Sequence, residues 1–166
     1  MRKYLKPVSW GLLGVFLLAQ LIRPAKNLSN DQTGHIAKAI PVPEPVEAIL
    51  KTACYDCHSN YTRYPWYAEV QPVAAWLANH IDEGKSELNF SEFTKRRVAV
   101  QNHKLEEVIE MVREGEMPLA SYTWVHRDAI LNAEQKQQLT DWAQSGMEYY
   151  KANYPADSLV LRRKRQ

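Results

Sequence analysis

The chain has only two cysteines, Cys54 and Cys57, in 166 residues. That scarcity excludes the disulfide framework on which small secreted scaffolds depend. It also lacks an excess of charge of one sign: 21 Lys and Arg stand against 19 Asp and Glu, a formal +2, which argues against a protein that coats nucleic acid. No convincing strand pattern occurs, so a βαβ architecture has no support. What is present is enough for one core: apolar residues make up 45% of the chain, and the length suits one domain with a terminal appendage rather than a multi-domain enzyme.

The appendage is N-terminal. Arg2, Lys3 and Lys6 form a basic flank, and Val8 to Ile22 then runs apolar apart from Ser9 and Gln20. Fifteen such residues span about 22 Å as a helix, short of the roughly 30 Å hydrocarbon core, so a cleaved signal peptide and a short anchor both fit. Just beyond the run the chain reads Gln20-Leu21-Ile22-Arg23-Pro24, without small residues for cleavage. Retention as a transmembrane or signal anchor is therefore expected for residues 1–22, with Tyr4 and Leu5 joining the span and Lys6 snorkelling. The basic end would stay cytoplasmic, which places a single-pass protein in the inner membrane with its domain on the periplasmic side.

Residues 23–45 hold Pro24, Pro41, Pro43 and Pro45 and follow no helical or strand period, so they read as a tether. From there to residue 152 the periodicity is helical. Val46, Ile49, Leu50 and Ala53 line one face of a helix that runs into Cys54. Pro72 opens a second, with Val73, Trp76, Leu77 and Ile81 on its apolar face, His80 beside them and Gly84 as its stop. A third carries Leu105, Val108, Ile109 and Val112 up to Gly115. Asn132 and Gln135 resemble a capping box before a fourth helix with Leu139, Trp142, Ala143, Gly146, Met147 and Tyr150. The basic tail within 153–166 has no period and reads as a solvated end.

Cys54-Tyr55-Asp56-Cys57-His58 carries the chemistry. This C-x-x-C-H run is the attachment signature of c-type haem. Two thiols three positions apart at a helix end reach both vinyl groups on one porphyrin edge, and the adjacent imidazole of His58 turns to the iron as proximal ligand. A thioredoxin-like pair would instead begin a helix after a strand. A structural zinc site would need His58 and one of His35, His80, His103 or His126, none at the usual spacing. A plain disulfide between the two cysteines is a third alternative.

The sixth iron position decides what such a haem does. Met117 is the first candidate: it follows a helix stop, precedes Pro118 and lies well downstream of the motif, where a thioether approaches the far face. His80, an imidazole on an apolar helix face, is the alternative distal ligand, although a hydrogen-bonded core histidine is the commoner outcome. Tyr61, Tyr64, Trp66, Tyr67 and Trp76 could wall the cofactor or simply fill the core, and Arg63 could pair with a propionate or stay solvated.

These stretches resemble the bacterial haem-binding domain family of small membrane-anchored c-type cytochromes. The likeness rests on Ile22-Arg-Pro24, on Cys54-Tyr-Asp-Cys-His-Ser-Asn60 with Thr62-Arg-Tyr-Pro-Trp-Tyr67, on Asn79-His-Ile81 through Leu88-Asn-Phe-Ser91, and on Gly115-Glu-Met-Pro118 with Tyr122 and His126. Leu119 departs from it, standing where similar proteins often carry a second proline. The resemblance implies Cys54, Cys57 and His58 as haem residues and, more loosely, Met117 as distal ligand. The expectation is an all-α, cytochrome c-like domain around one covalent haem c, passing single electrons between redox partner proteins. It would attach to the membrane by its N-terminal helix and bind no nucleic acid. A peroxidase or gas sensor with an open sixth position is the alternative.

Overall fold

The computed structural model describes residues 2–161; the basic run Arg162 to Arg165 lies outside the described residues. Among the described residues seven α-helices follow one another: α1 Arg2–Ala19, α2 Glu44–Ala53, α3 Tyr55–His58, α4 Val73–Glu87, α5 Val98–Glu114, α6 Ala120–Val125 and α7 Ala133–Asn153. Short 3₁₀ turns join several of them, and no strand occurs among the described residues.

The all-helical expectation holds, but the expected anchor does not. Among the described residues no helix is long and apolar enough to cross a membrane, which corrects both the transmembrane helix and the single-pass inner-membrane placement. The reason lies within α1: its 18 residues begin with the basic run Arg2, Lys3 and Lys6, and Pro7 lies inside the helix. Only residues 8–19 remain as continuous apolar helix, about 18 Å of rise. The apolar side chains of that stretch, Trp10, Leu12 and Leu18 among them, are exposed.

The core gathers on α2, α5 and α7. Leu50, Leu105, Leu139, Ala143 and Tyr150 are all at most 1% exposed, so the i, i+3, i+4 faces meet as their spacing predicts. Gly146 is what lets α7 come this close: a Cβ there would lie 2.7 Å from Ile40 Cδ1 and 2.9 Å from Leu105 Cδ1. The Asn132 box is present in full, with Gln135 N–H donating to Asn132 Oδ1 at 2.9 Å and Asn132 N–H donating to Gln135 Oε1 at 3.0 Å. Gly115 ends α5 at φ +78°, the left-handed conformation that glycine adopts without a steric cost.

The aperiodic segment 23–45 also contributes to the core. Ile36 and Ile40 are buried within it, Trp142 Nε1–H donates to Pro41 O at 3.0 Å, and Asn30 N–H donates to Asn60 O at 2.9 Å. A stretch held by isolated anchors and backbone bonds leaves no period to read. The helix expected to stop at Gly84 continues to Glu87 instead, because that glycine serves a close contact described below.

Candidate functional site

Cys54 closes α2, its N–H donating to Leu50 O at 3.0 Å, and its backbone (φ −126°) then breaks the helix. The chain restarts at once as the single turn α3, where the N–H groups of Cys57 and His58 donate to Cys54 O at 3.2 and 3.0 Å. One tight turn thus brings both cysteines and His58 to a single cavity of about 260 Å³, whose lining also includes Met117 and His80. A second cavity of about 190 Å³ shares Cys54, His58, Met117 and Pro118 with the first and is walled by Leu50, Phe90 and Val108. The sequence-predicted donors therefore converge on one place.

His58 is fixed from behind. Its Nδ1 lies 2.9 Å from Leu88 O, and since a carbonyl only accepts, Nδ1 must carry the proton and leave the Nε2 lone pair free. Burial holds the imidazole below its ordinary pKa, so this neutral tautomer is favoured. Gly84 lets α4 approach: a Cβ there would stand 2.8 Å from Cys57 O and 3.2 Å from Cys57 Cβ. No larger residue leaves room for α3 in this position.

The thiols are not activated as redox centres. Burial pushes Cys54 up to about 12, with Cys57 adding to it, and Cys57 up to about 11, with the Asp56 charge adding to it. Nucleophilic C-x-x-C pairs show the opposite shift. Among the described residues no group of three or more His, Cys, Asp or Glu side chains is placed to hold a metal ion.

Met117 is placed by the turn after α5, where its N–H donates to Met111 O at 3.2 Å. Met111 itself lines the second cavity beside Met117 and was not singled out from the sequence; its position three residues after Val108 was the available signal. Lys104 also lines that cavity, ion-paired with Glu107 at 2.6 Å and Glu87 at 3.3 Å. His80 reaches the first cavity while its Nδ1–H donates to Trp76 O at 2.9 Å, its ring 4.1 Å from that indole.

Asp56, one of the two variable residues of the motif, is buried and saturated. Arg63 donates from its backbone N and from Nε to Oδ1, both at 3.1 Å, and from a terminal nitrogen to Oδ2 at 3.1 Å; Tyr122 donates its hydroxyl to Oδ2 at 2.8 Å. Arg63 is therefore committed to Asp56. Tyr122 stacks on His126 with centroids 4.3 Å apart, and His126 Nε2 lies 2.6 Å from the Tyr67 hydroxyl. Of the five aromatics considered as cofactor walls, Tyr67 and Trp76 line a small apolar cavity that shares Cys57, His80 and Tyr122 with the site. Trp66 is 80% exposed, and Tyr61 faces a separate cleft. His103 pairs with Glu106 and Glu107 on the surface of α5 and itself lines none of these cavities.

Two sulfurs, a fixed imidazole and a thioether around one apolar space match the donor set of a protein that holds an iron porphyrin. The donors fit the group in kind, and they line one cavity. The comparison with known families agrees: the model of the haem-binding domain family matches residues 14–145. The chain belongs to that family. No curated protein and no solved structure matches it.

Proposed function

We propose that this haem-binding protein carries one haem c, joined through the sulfurs of Cys54 and Cys57, and relays single electrons between redox partner proteins. His58 Nε2 and Met117 Sδ are the atoms that would hold the iron. The observation that carries the reading is the shared cavity of Cys54, Cys57, His58 and Met117, with the free nitrogen of His58 set by its bond to Leu88 O.

When bound, such a group supplies a one-electron ferric/ferrous couple. The chain's own residues do the remainder. The cysteines fix the ring edge, Leu88 and Phe90 hold the imidazole in orientation, and the walls formed by Leu50, Val108 and Pro118 exclude water. Met117 would supply a thioether to the iron, which would favour electron relay over substrate chemistry and a raised potential. His80 also donates Nδ1–H to a backbone carbonyl, which leaves its Nε2 lone pair available, so it stays the alternative distal ligand.

The test is mass spectrometry with a pyridine haemochrome spectrum on the intact chain, expressed with a haem-attachment system. Haem mass retained through denaturation is the expected result, and a bare chain overturns the reading. Met117→Ala should keep the haem, open the sixth position and lower the potential; an unchanged visible spectrum overturns the Met117 assignment. A high-spin wild-type ferric spectrum that shifts on adding cyanide would replace electron relay by peroxidase or gas-binding chemistry.

A further inference from the structure

Asp56 does more than fill the space between the cysteines. It is 7% exposed, and burying a carboxylate is costly unless its lone pairs are met. Here they are met four times, by three Arg63 donors and the Tyr122 hydroxyl, while the Asp56 carbonyl accepts from Thr62 Oγ1 at 2.6 Å. If α3 needed only packing at this position, a small apolar residue would suffice.

The origin of the partners gives the arrangement its meaning. Arg63 comes from the segment just after the attachment helix. Tyr122 comes from α6, which begins soon after Met117-Pro118. The Asp56–Tyr122 bond is therefore a direct polar link between the piece of chain that carries the cysteines and the piece that carries the candidate sixth ligand. Behind it, the stack of Tyr122 on His126 and the His126–Tyr67 hydrogen bond brace the phenol from the opposite side. Tyr122 also lines the cavity that holds Cys57 and Met117, so the link sits in the cavity wall.

We propose that the Asp56–Tyr122 hydrogen bond is a latch that sets the distance between the attachment turn and the Met117 segment, making both residues positioning residues for the sixth iron ligand. The proposal rests on the haem reading above. With the latch intact, Met117 is held at the cavity; without it, the α6 end of the segment keeps the stack on His126 but loses its polar link to α3, and the Met117 thioether leaves its place for part of the time. The loss expected is on the order of tenfold in the ratio of ligated to open iron, near the lower end of what a hydrogen bond to a charged group contributes.

The test uses the full haem-loaded chain and reads the sulfur-to-iron charge-transfer band at the red end of the ferric spectrum, together with the midpoint potential. Tyr122→Phe removes one oxygen and keeps the stack on His126. It should weaken the band and lower the potential while helix content by circular dichroism stays at the wild-type level. Asp56→Ala should do the same, and Asp56→Asn, which keeps an acceptor for the phenol, should recover part of the band. A full band and wild-type potential in Tyr122→Phe overturn the latch. So does a collapse of helix content in parallel with the band, because the contact would then be structural. Should Asp56→Ala fail to fold, Tyr122→Phe and Asp56→Asn still decide. Wild-type protein without haem, or with haem but no such band, overturns the parent reading instead, so the two failures are told apart.

Discussion

Along the α5–α7 seam, contact is apolar and continuous, with Leu105, Ile109 and Val112 meeting Leu139, Trp142 and Ala143 across a glycine. Around α3, by contrast, the helices meet through directional polar bonds (Asp56 to Arg63 and Tyr122, His58 to Leu88 O) and enclose cavities. Side-chain burial stabilises the first region whether or not a ligand is present. The second leaves apolar wall without a partner of its own, so a group that fills it adds stability by linkage. The seam is a scaffold, and the α3 side carries the cavities that the proposed haem would fill.

If the two regions are separable in this way, damage to the seam should cost stability and leave the spectrum alone. Leu105 is 0% exposed, and Leu105→Ala should destabilise the protein by about 2–5 kcal/mol, from lost burial and the cavity left behind. Urea unfolding followed by circular dichroism measures this, while the visible spectrum of the fraction still folded should be that of the wild type. A shifted spectrum would break the separation and show that the seam transmits strain to the site.

Gly84→Ala is the reciprocal change, smaller in stability and larger in chemistry. The added methyl meets Cys57 O at 2.8 Å, backbone that cannot rotate aside, so α3 or α4 must shift. The overpacking cost is about 1–3 kcal/mol. Covalent haem yield should fall well below that of Leu105→Ala measured at the same expression level. Equal yields in the two variants would mean that the α3–α4 spacing does not govern attachment.

The same contrast explains what could be read from the sequence. The seam was legible because its apolar residues recur at helical spacing and its ends carry local signals, Asn132 with Gln135 and the left-handed Gly115. That Cys54, Cys57 and His58 share one cavity was legible because spacing within one turn brings them together. What supports them was not. His58 is oriented by a backbone carbonyl, Asp56 is answered by a tyrosine 66 residues away, and Gly84 sits inside a helix where glycine usually reads as a stop. Met111 lies where an ordinary apolar face would put it. The N-terminal run misled for a related reason: composition suggested a span, but the basic residues and the apolar stretch share one short helix.

The mildest way to probe the comparison is pH, because burial holds His58 and His35, both on the attachment side, below their ordinary value of 6.5. In haem-free protein above that value, both imidazoles are neutral whether folded or unfolded, and their environments cost nothing. As pH falls below it, the unfolded chain takes up protons that the folded chain refuses, so the unfolded state binds more protons and stability declines with pH until the folded groups titrate as well. For His58 the slope is at most about 1.4 kcal/mol per pH unit, and half-exposed His35 adds less. Urea midpoints of the haem-free chain should therefore drop between about pH 7 and about pH 5. His58→Gln should flatten most of that drop, since it removes the group most disfavoured as a cation. A wild-type midpoint that is level or rises over this interval would mean that His58 is charged in the fold, which its bond from Nδ1 to Leu88 O does not require but its burial opposes. The Nε2 that the proposed iron ligation needs would then be protonated in the haem-free protein.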